Sequence, residues 1–243
     1  MMHLLDTAAY GRVNGLFRPI PGTAFLLEAI AGQKQEGKVF ADDPVNPQRA
    51  YLETCYGFYY FAGEYDKAFL KEALSHIFKD IVPAQTLHPY LFAFATSRIW
   101  LREIRKRTRR YKGYTATRRL YLLNPSAYQP PERKPDGFHY ALEDKDGGVR
   151  AAAYDGDLEI AHCNDGGQGA GVMDLDTFVH EAYRHRGLGA AVTSMMAEYC
   201  LAHGIKPQGG IWSLNAPSWR MAEKMGFEKT AEFEAYIAEV KKL

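Results

Sequence analysis

A short stretch after residue 183 combines arginines with glycines at close spacing. It reads Arg-x-x-Gly-x-Gly, with Arg184, Gly187 and Gly189 at the defining positions. The preceding residues are apolar and β-prone, and apolar residues recur at helical spacing from Leu188, so the stretch is a strand-to-helix turn. Such a turn directs free backbone N–H groups, at the positive end of a helix dipole, toward one point. That arrangement suits a diphosphate, and glycine lets the backbone approach the phosphate oxygens.

The residues of the turn exclude two common classes of diphosphate-binding turn. A P-loop requires Lys followed by Ser or Thr after its last glycine, and that pair is absent here. A dinucleotide-binding turn requires a third glycine where this chain has Val192. What remains is Arg-x-x-Gly-x-Gly/Ala after a strand. An ordinary glycine-containing turn stays open as the alternative for this stretch taken alone.

Two further segments have spacings that belong with this turn. After the helix, residues 209–214 predict a short strand, and Asn215 with Pro217 predicts the start of another helix. That helix ends in Lys-x-Gly-Phe at residues 224–227. Upstream, residues 149–154 and 157–163 predict a β-hairpin. The glycine run at 166–171 precedes a strand rather than a helix, so we predict a flexible connection there.

The combination Arg-x-x-Gly-x-Gly, Asn-x-x-Ser and Lys-x-Gly-Phe resembles the GNAT superfamily of acyl-CoA-dependent N-acyltransferases. The resemblance covers residues 134–243 and implies an α/β (α+β) GNAT fold, a mixed central sheet flanked by helices. It implies transfer of the acetyl group of acetyl-CoA to an amine, with a small molecule as the expected substrate. It also implies that backbone groups of Phe178 and Val179 pair with the pantetheine arm, and that Asn215 contacts the pantetheine or the reacting centre. The implied cofactor-binding residues are Phe178, Val179, Arg184, His185, Arg186, Gly187, Leu188, Gly189, Ala190 and Asn215.

The chain departs from the family pattern at the positions of the usual general acid and general base. Many members have a Tyr seven residues after the Asn and some have a Glu five residues before it, whereas this chain has Ala222 and Gly210. We predict Asp176 on the central strand and Glu181 at its end as the catalytic residues that accept the amine proton. Ser213, Ser218 and Tyr183 remain alternatives.

The first 133 residues predict a smaller α/β domain of their own, separated by prolines from the domain at 134–243. We predict a strand over 51–61 and a helix over 90–110. Gly37–Asp43 and the later 59–63 are similar to a bacterial GNAT subgroup that joins such a domain, which can be a degenerate GNAT-like half, to the catalytic one. That subgroup includes relatives of the zwittermicin-resistance acetyltransferase.

Composition predicts a soluble enzyme. The 243 residues carry a net charge of +1, and three cysteines lie far apart, which favours a reducing cytoplasm over a disulfide framework. We expect no metal, because no Cys/His cluster has ligand spacing, and no membrane partner, because no apolar run is long enough and no signal peptide precedes the first domain. The basic stretch 98–119 favours a solvated helix end over a nucleic-acid site. The alternatives are a non-catalytic acyl-CoA sensor and, third, a nucleic-acid-binding module; a homodimer stays open.

Overall fold

A computed structural model describes residues 1–84, 89–145 and 148–240. The chain divides into two compact units, Met1–Arg118 with Phe233–Leu243, and Arg119–Glu232. The expected boundary between residues 133 and 134 falls inside the second unit, and the last strand returns the chain to the first. Two domains with that boundary therefore stay a proposal. No helix among the described residues is long and apolar enough to cross a membrane.

The strands and helices alternate irregularly along the chain. The helices are α1 Gly11–Phe17, α2 Thr23–Ala31, α3 Lys67–His76, α4 Val82–Ala84, α5 Arg98–Arg107, α6 Leu188–Ala202 and α7 Ala216–Lys224. The strands are β1 His3–Leu4, β2 Gly37–Ala41, β3 Arg49–Thr54, β4 Phe58–Gly63, β5 Tyr90–Ala95, β6 Lys112–Leu123, β7 His139–Lys145, β8 Gly148–Asp155, β9 Leu158–Gly169, β10 Val172–Val179, β11 Lys206–Trp212 and β12 Phe227–Glu239. A π-helical turn, Ile77–Ile81, joins α3 to α4.

In the first unit, strands β1 to β5 lie side by side in chain order. They pair antiparallel except for β4 and β5, which are parallel. The last residues of β12, Ala235–Glu239, pair antiparallel with β5. The core of this unit is aromatic, with Tyr51, Phe61 and Trp100 fully buried.

In the second unit the strand order is β6-β11-β10-β9-β8-β7. Strands β7 to β10 form an antiparallel meander, and β10 then pairs parallel with β11 through the crossover helix α6. Helix α6 covers one face of this sheet. Its buried side chains pack against alternate residues of the meander, which are Val149, Ala151, Ala153, Ala161, Cys163 and Met173. The residues between them point to the opposite face.

The structure confirms the mixed α/β fold and corrects three local predictions. The strand predicted over 51–61 is interrupted, since a turn at Gly57, whose φ is +70°, separates β3 from β4. The helix predicted over 90–110 is strand β5 followed by α5. Strand β5 is paired on both sides, and a strand in that position is apolar throughout, which resembles a buried helix in sequence.

The third correction concerns the glycine run. Residues 166–169 are the end of β9, and Gln168 and Gly169 pair with Met173 and Val172 of β10, so the run is not a loose connection. The turn itself is only Ala170 and Gly171, and both have positive φ, +52° and +71°. A two-residue turn with that geometry matches the twist of the paired strands.

Candidate functional site

Strand β10 leads into the turn that the sequence analysis singled out. After Val179 the chain makes one 3-10 turn, Glu181–Tyr183, and enters α6 at Leu188. Gly187 precedes the helix with φ +83°, and no side chain caps the helix start. The amides of the first helical turn are therefore left without intrahelical acceptors at the positive end of the helix dipole.

Two glycines and one histidine shape the turn. Gly187 has a left-handed φ, which a residue with a Cβ adopts only at a cost. At Gly189 an added Cβ would lie 3.3 Å from Met221 Sδ and 3.4 Å from Val179 Cγ2, so the backbone there approaches its neighbours closely. His185 is one of the non-glycine residues with positive φ, +63°. Backbone strain of this kind collects where a structure holds a ligand.

Strands β10 and β11 are paired over only a short part of their length. Their register joins Val172–Asp174 with Lys206–Gln208, and the two strands are unpaired with each other beyond that point. On its other edge β10 stays paired with β9 as far as Val179. The edge of β10 that faces β11 thus has backbone groups free for an extended ligand near Phe178, the mode of recognition called β-augmentation.

A cavity of about 550 Å³ lies where the strands have separated. This volume is within the range of small-molecule sites. Its walls come from the end of β10, the turn, the start of α6 and the first turn of α7. The lining residues are Thr177, Phe178, Val179, Tyr183, Arg184, His185, Gly187, Leu188, Gly189, Ala190, Asn215, Pro217, Ser218 and Met221.

The cavity brings together every predicted cofactor-binding residue except Arg186. The guanidinium of Arg186 instead lies over the Tyr183 ring, 5.1 Å from its centroid. Arg184 donates from Nε to the carbonyl of Val179 at 3.3 Å, which ties the turn to the strand. Asn215 lines the cavity and also caps α7, its Oδ1 accepting the amide of Ser218 at 3.3 Å.

The two predicted proton acceptors lie beside the cavity and do not line it. Asp176 is exposed, on the sheet face opposite α6, and pairs across the sheet with Asn164. It shares that face with Phe178, two residues along the strand. Glu181 is exposed at the start of the 3-10 turn. The structure leaves both as predictions.

Of the alternative residues, Tyr183 and Ser218 line the cavity and Ser213 does not. The hydroxyl of Tyr183 donates to Asp155 Oδ2 at 2.8 Å, and this hydrogen bond raises the pKa of the phenol above its ordinary value. Tyr183 is therefore protonated at neutral pH. Ala222, at the position where many family members have the acidic Tyr, is buried in the core under α7 with Met225 and Phe227.

The cysteine thiols are poorly suited to act as nucleophiles. Burial raises the pKa of Cys163 and of Cys200 to about 12, and both side chains pack beneath α6. Burial also raises the pKa of the half-buried Cys55 in the first unit. A thiol is reactive as its thiolate, so a covalent acyl-cysteine intermediate is disfavoured and direct transfer is favoured. The described residues contain no cluster of His, Cys, Asp and Glu that could hold a metal ion.

Sequence reasoning missed a polar network on the sheet face opposite α6. Glu159 Oε1 accepts from the guanidinium of Arg150 and lies 2.7 Å from Nδ1 of His162. Arg150 also donates from Nε to Asn164 Oδ1 at 2.9 Å. The ring of His162 stacks on Phe178, a cavity residue, with centroids 5.2 Å apart. The register between β8 and β9 and an irregularity in it place these residues together, so no spacing in the sequence signals them.

Comparisons with known proteins agree with this geometry. Residues 146–236 match the sequence profile of the family described as GNAT acetyltransferase. A curated relative, the uncharacterized N-acetyltransferase YdfB of Bacillus subtilis (strain 168), is 21% identical over 235 residues, which cover 86% of this chain and 88% of the relative.

Solved structures show the same fold at low sequence identity. A GCN5-related N-acetyltransferase-like protein from Streptococcus suis 89/1591 superposes with a TM-score of 0.72 at 17% identity, over 96% of this chain and 99% of that protein. A tandem GNAT protein from the clavulanic acid biosynthesis pathway gives 0.58 at 10% identity, over 98% of each chain. Residues 146–236 thus resemble a GNAT acetyltransferase domain, and the family match together with the curated relative supports an acyltransferase.

Proposed function

We propose that the protein transfers the acetyl group of acetyl-CoA to an amine of a small-molecule substrate. The observation that carries this proposal is the cavity formed where β10 leaves β11. It is lined by the uncapped start of α6 and by the unpaired edge of β10. The first element suits a diphosphate and the second suits an amide-containing arm, and acyl-CoA carries both groups in sequence.

The residues present fit acyl-CoA in three respects. Gly189 lies close to Val179 and Met221, so that a side chain there would press on both neighbours at the cavity wall. Arg184 and His185 add basic groups at the cavity wall. Asn215 lines the cavity between the strand end and α7 and offers a side-chain amide. We assign the ten predicted cofactor-binding residues to this ligand, with Arg186 acting from outside the cavity.

Transfer requires a neutral amine. A lysine-like amine with a pKa of about 10.4 needs roughly 4–5 kcal/mol for deprotonation at pH 7. The lone pair then attacks the thioester carbonyl, the new C–N bond forms, the C–S bond breaks, and the thiolate leaves. A thiol has a pKa near 8.5, so its thiolate is a tolerable leaving group without a dedicated acid. We propose Asp176 and Glu181 as candidate acceptors of the amine proton, acting directly or through a water.

Binding of the donor is tested by thermal unfolding. A ligand that binds only the folded state raises the melting temperature by mass action, so acetyl-CoA should stabilise the wild-type protein. Gly189→Asp should remove the shift, because it adds bulk and a negative charge at the diphosphate seat. Gly15→Asp is the matched control, since Gly15 lies exposed in α1 with nothing within 4 Å of an added Cβ. Equal shifts for the wild type and Gly189→Asp would contradict the assignment.

Turnover is tested by release of free thiol from acetyl-CoA with a panel of primary amines. Amine-dependent release supports the enzyme, whereas acetyl-CoA binding without release from any amine supports the alternative, an acyl-CoA-binding sensor. If Asp176 or Glu181 accepts the amine proton, Asp176→Asn or Glu181→Gln should lower the maximal rate with a confirmed substrate by about 10²-fold or more, the scale of general base catalysis. That loss should shrink as the pH rises toward the pKa of the amine.

The finer sequence predictions belong to the same proposal. Relatedness to the zwittermicin-resistance subgroup, a cytoplasmic location, the lack of a nucleic-acid partner and the open question of a homodimer rest on the sequence patterns alone.

A further inference from the structure

The polar network of Arg150, Glu159, His162 and Asn164 needs an explanation beyond sheet stability. The pairing of β8 with β9 contains a bulge near the turn that joins them. Ala153 pairs with Ala161, whereas the next pair is Tyr154 with Glu159. The extra residue, Ile160, is buried in the α6 core beside Ala161. The bulge therefore keeps Glu159 on the same face as His162, three residues later, where regular alternation would turn it away.

The network orients one histidine ring. The Nδ1 of His162 lies 2.7 Å from Glu159 Oε1, and a carboxylate accepts, so Nδ1 carries the proton and Nε2 of the neutral ring is left as an acceptor. Arg150 holds Glu159 in place and is itself fixed by Asn164. Burial raises the pKa of Glu159, but the hydrogen bonds from Arg150 and His162 outweigh it and hold the pKa below its ordinary value. Glu159 is therefore ionised at neutral pH.

The ring lies next to the proposed site of transfer. It stacks on Phe178 with an interplanar angle of 26°, and Phe178 is 49% exposed and lines the cavity. His162 is itself 21% exposed, so solvent and a substrate can reach this face of the sheet. No described residue has a recorded contact with Nε2 of His162. The charged and titratable groups on the same face include His139, Glu143, Arg150, Tyr154, Glu159, Asp174 and Asp176.

We infer that His162, oriented by Glu159 and Arg150, accepts the proton of the attacking amine, and that the substrate amine approaches along the sheet face formed by Phe178 and Asp176. The inference rests on the proposed function and gives the proton to a different group from the two carboxylates predicted from the sequence. His162 is a catalytic residue in this scheme, and Glu159 and Arg150 are positioning residues.

The step balances without any further reactant. The neutral amine adds to the thioester carbonyl carbon, and its nitrogen becomes positively charged. Nε2 of His162 takes one proton from that nitrogen, the C–S bond breaks, and the thiolate leaves. The imidazolium then returns the proton to the thiolate, so the products are the amide and the free thiol, and His162 is neutral again.

The first test is kinetic. His162→Gln should lower kcat by about 10²-fold or more for an alkylamine substrate, while the Kd for acetyl-CoA stays within about twofold of the wild type. The loss should be much smaller with hydroxylamine, which is largely unprotonated at neutral pH and whose adduct passes its proton to water readily. His203→Gln is the matched control, because His203 is exposed after α6 and its ring bonds to and stacks on Tyr199 of that helix.

The second test needs no turnover. In nitrogen NMR spectra of the wild type, recorded at a pH high enough for the ring to be neutral, the resonances lost in His162→Gln should show the proton on Nδ1. Glu159→Gln should shift that tautomer toward Nε2–H and lower kcat by about tenfold or more, without changing acetyl-CoA affinity. A merely structural role for Glu159 would not move the tautomer.

Each outcome of these tests either supports or overturns the role of His162 as the proton acceptor. If His162→Gln keeps full turnover while Asp176→Asn or Glu181→Gln loses it, the proton goes to a carboxylate and the inference fails. It also fails if His162→Gln abolishes acetyl-CoA binding, or if the ring is protonated on Nε2. If the wild type binds acetyl-CoA and acetylates no amine, the proposed function fails separately, and the tautomer alone supports or overturns the role of His162.

Discussion

Gly187 illustrates how one residue fixes the site. Its φ of +83° turns the chain from the 3-10 segment into α6, so that the first helical amides face the cavity. An L-residue in this left-handed region costs about 1–2 kcal/mol. The requirement is conformational, because the added Cβ would meet only Pro135 Cγ at 3.4 Å, an ordinary contact distance.

We therefore expect Gly187→Ala to lower the free energy of unfolding by about 1–2 kcal/mol and to weaken acetyl-CoA binding. Denaturant unfolding measures the first effect and a thermal shift with acetyl-CoA the second. Gly15→Ala is the comparison, because that helical position is open and should gain about 0.5–1 kcal/mol. A Gly187→Ala protein as stable as the wild type would show that the turn relaxes into another conformation.

The residues of the turn could be predicted from the sequence, whereas the residues of the network could not. Residues 184–190 are contiguous, and their types indicate a strand-to-helix turn without any information about distant parts of the chain. Glu159 and His162 depend on the register between β8 and β9 and on a single bulged residue. A shift by one residue reverses which face a side chain occupies, and sequence alternation alone does not reveal a bulge.

At the scale of elements, the prediction was most accurate where the period of apolar residues and the turn residues agree. Strand β10, helix α6 and helix α7 lie where the sequence placed them. The prediction for the segment of β5 was wrong because all six residues of this strand are apolar, so its sequence lacks the alternation that indicates a strand. The separation of β10 from β11, which opens the cavity, leaves no local signal, since it depends on how two distant strands diverge.

Glu159, in the β8–β9 hairpin, should make an electrostatic contribution to the free energy of unfolding that depends on pH. Its pKa is below the ordinary value in the folded protein, so the stabilisation is present above the unfolded pKa and is lost as the pH falls through the folded one. We expect Glu159→Gln to be less stable than the wild type at pH 6, with a smaller difference at pH 3, in denaturant unfolding. Asp157→Asn, in the exposed turn of the same hairpin, should show no such pH-dependent difference.

At the scale of the molecule, the two compact units predict which fragments fold. The core of the second unit includes Tyr121 and Leu123, which precede the linker prolines, together with Met225 and Phe227. Fragment 134–243 lacks the first pair, and its last residues have lost β5, their partner in the first unit. Fragment 119–232 keeps this core intact.

We expect fragment 119–232 to unfold more cooperatively than fragment 134–243, because the buried side chains of Tyr121 and Leu123 are retained only in the former. Circular dichroism during thermal unfolding compares the two. Equal cooperativity would favour the boundary predicted from the prolines over the compact units. Fragment 1–133 should be prone to aggregation, since β5 would lose its antiparallel neighbour and become an edge strand.

The distribution of charge bears on the remaining alternative, a nucleic-acid-binding module. Helix α5 ends in a basic turn that includes Arg105, Lys106 and Arg107. Arg107 contacts Glu103, and this hydrogen bond lowers the pKa of the Glu103 carboxyl and raises that of the guanidinium. Cations at a helix C-terminus interact favourably with the helix dipole, so the turn has a structural explanation. The net charge of +1 adds no long-range attraction for a polyanion.

We therefore expect no complex with duplex DNA tighter than about 1 μM at physiological salt, where non-specific binders usually have Kd values between about 100 μM and 1 μM. Fluorescence anisotropy of a labelled duplex, titrated with the protein at several salt concentrations, measures this. Any weak complex should dissociate as the salt concentration rises, because it would depend on counterion release alone. A tighter complex, weakened when Arg105, Arg107 and Arg109 are changed to Ala and retained by Gly189→Asp, would make α5 a binding surface independent of the acyl-CoA cavity.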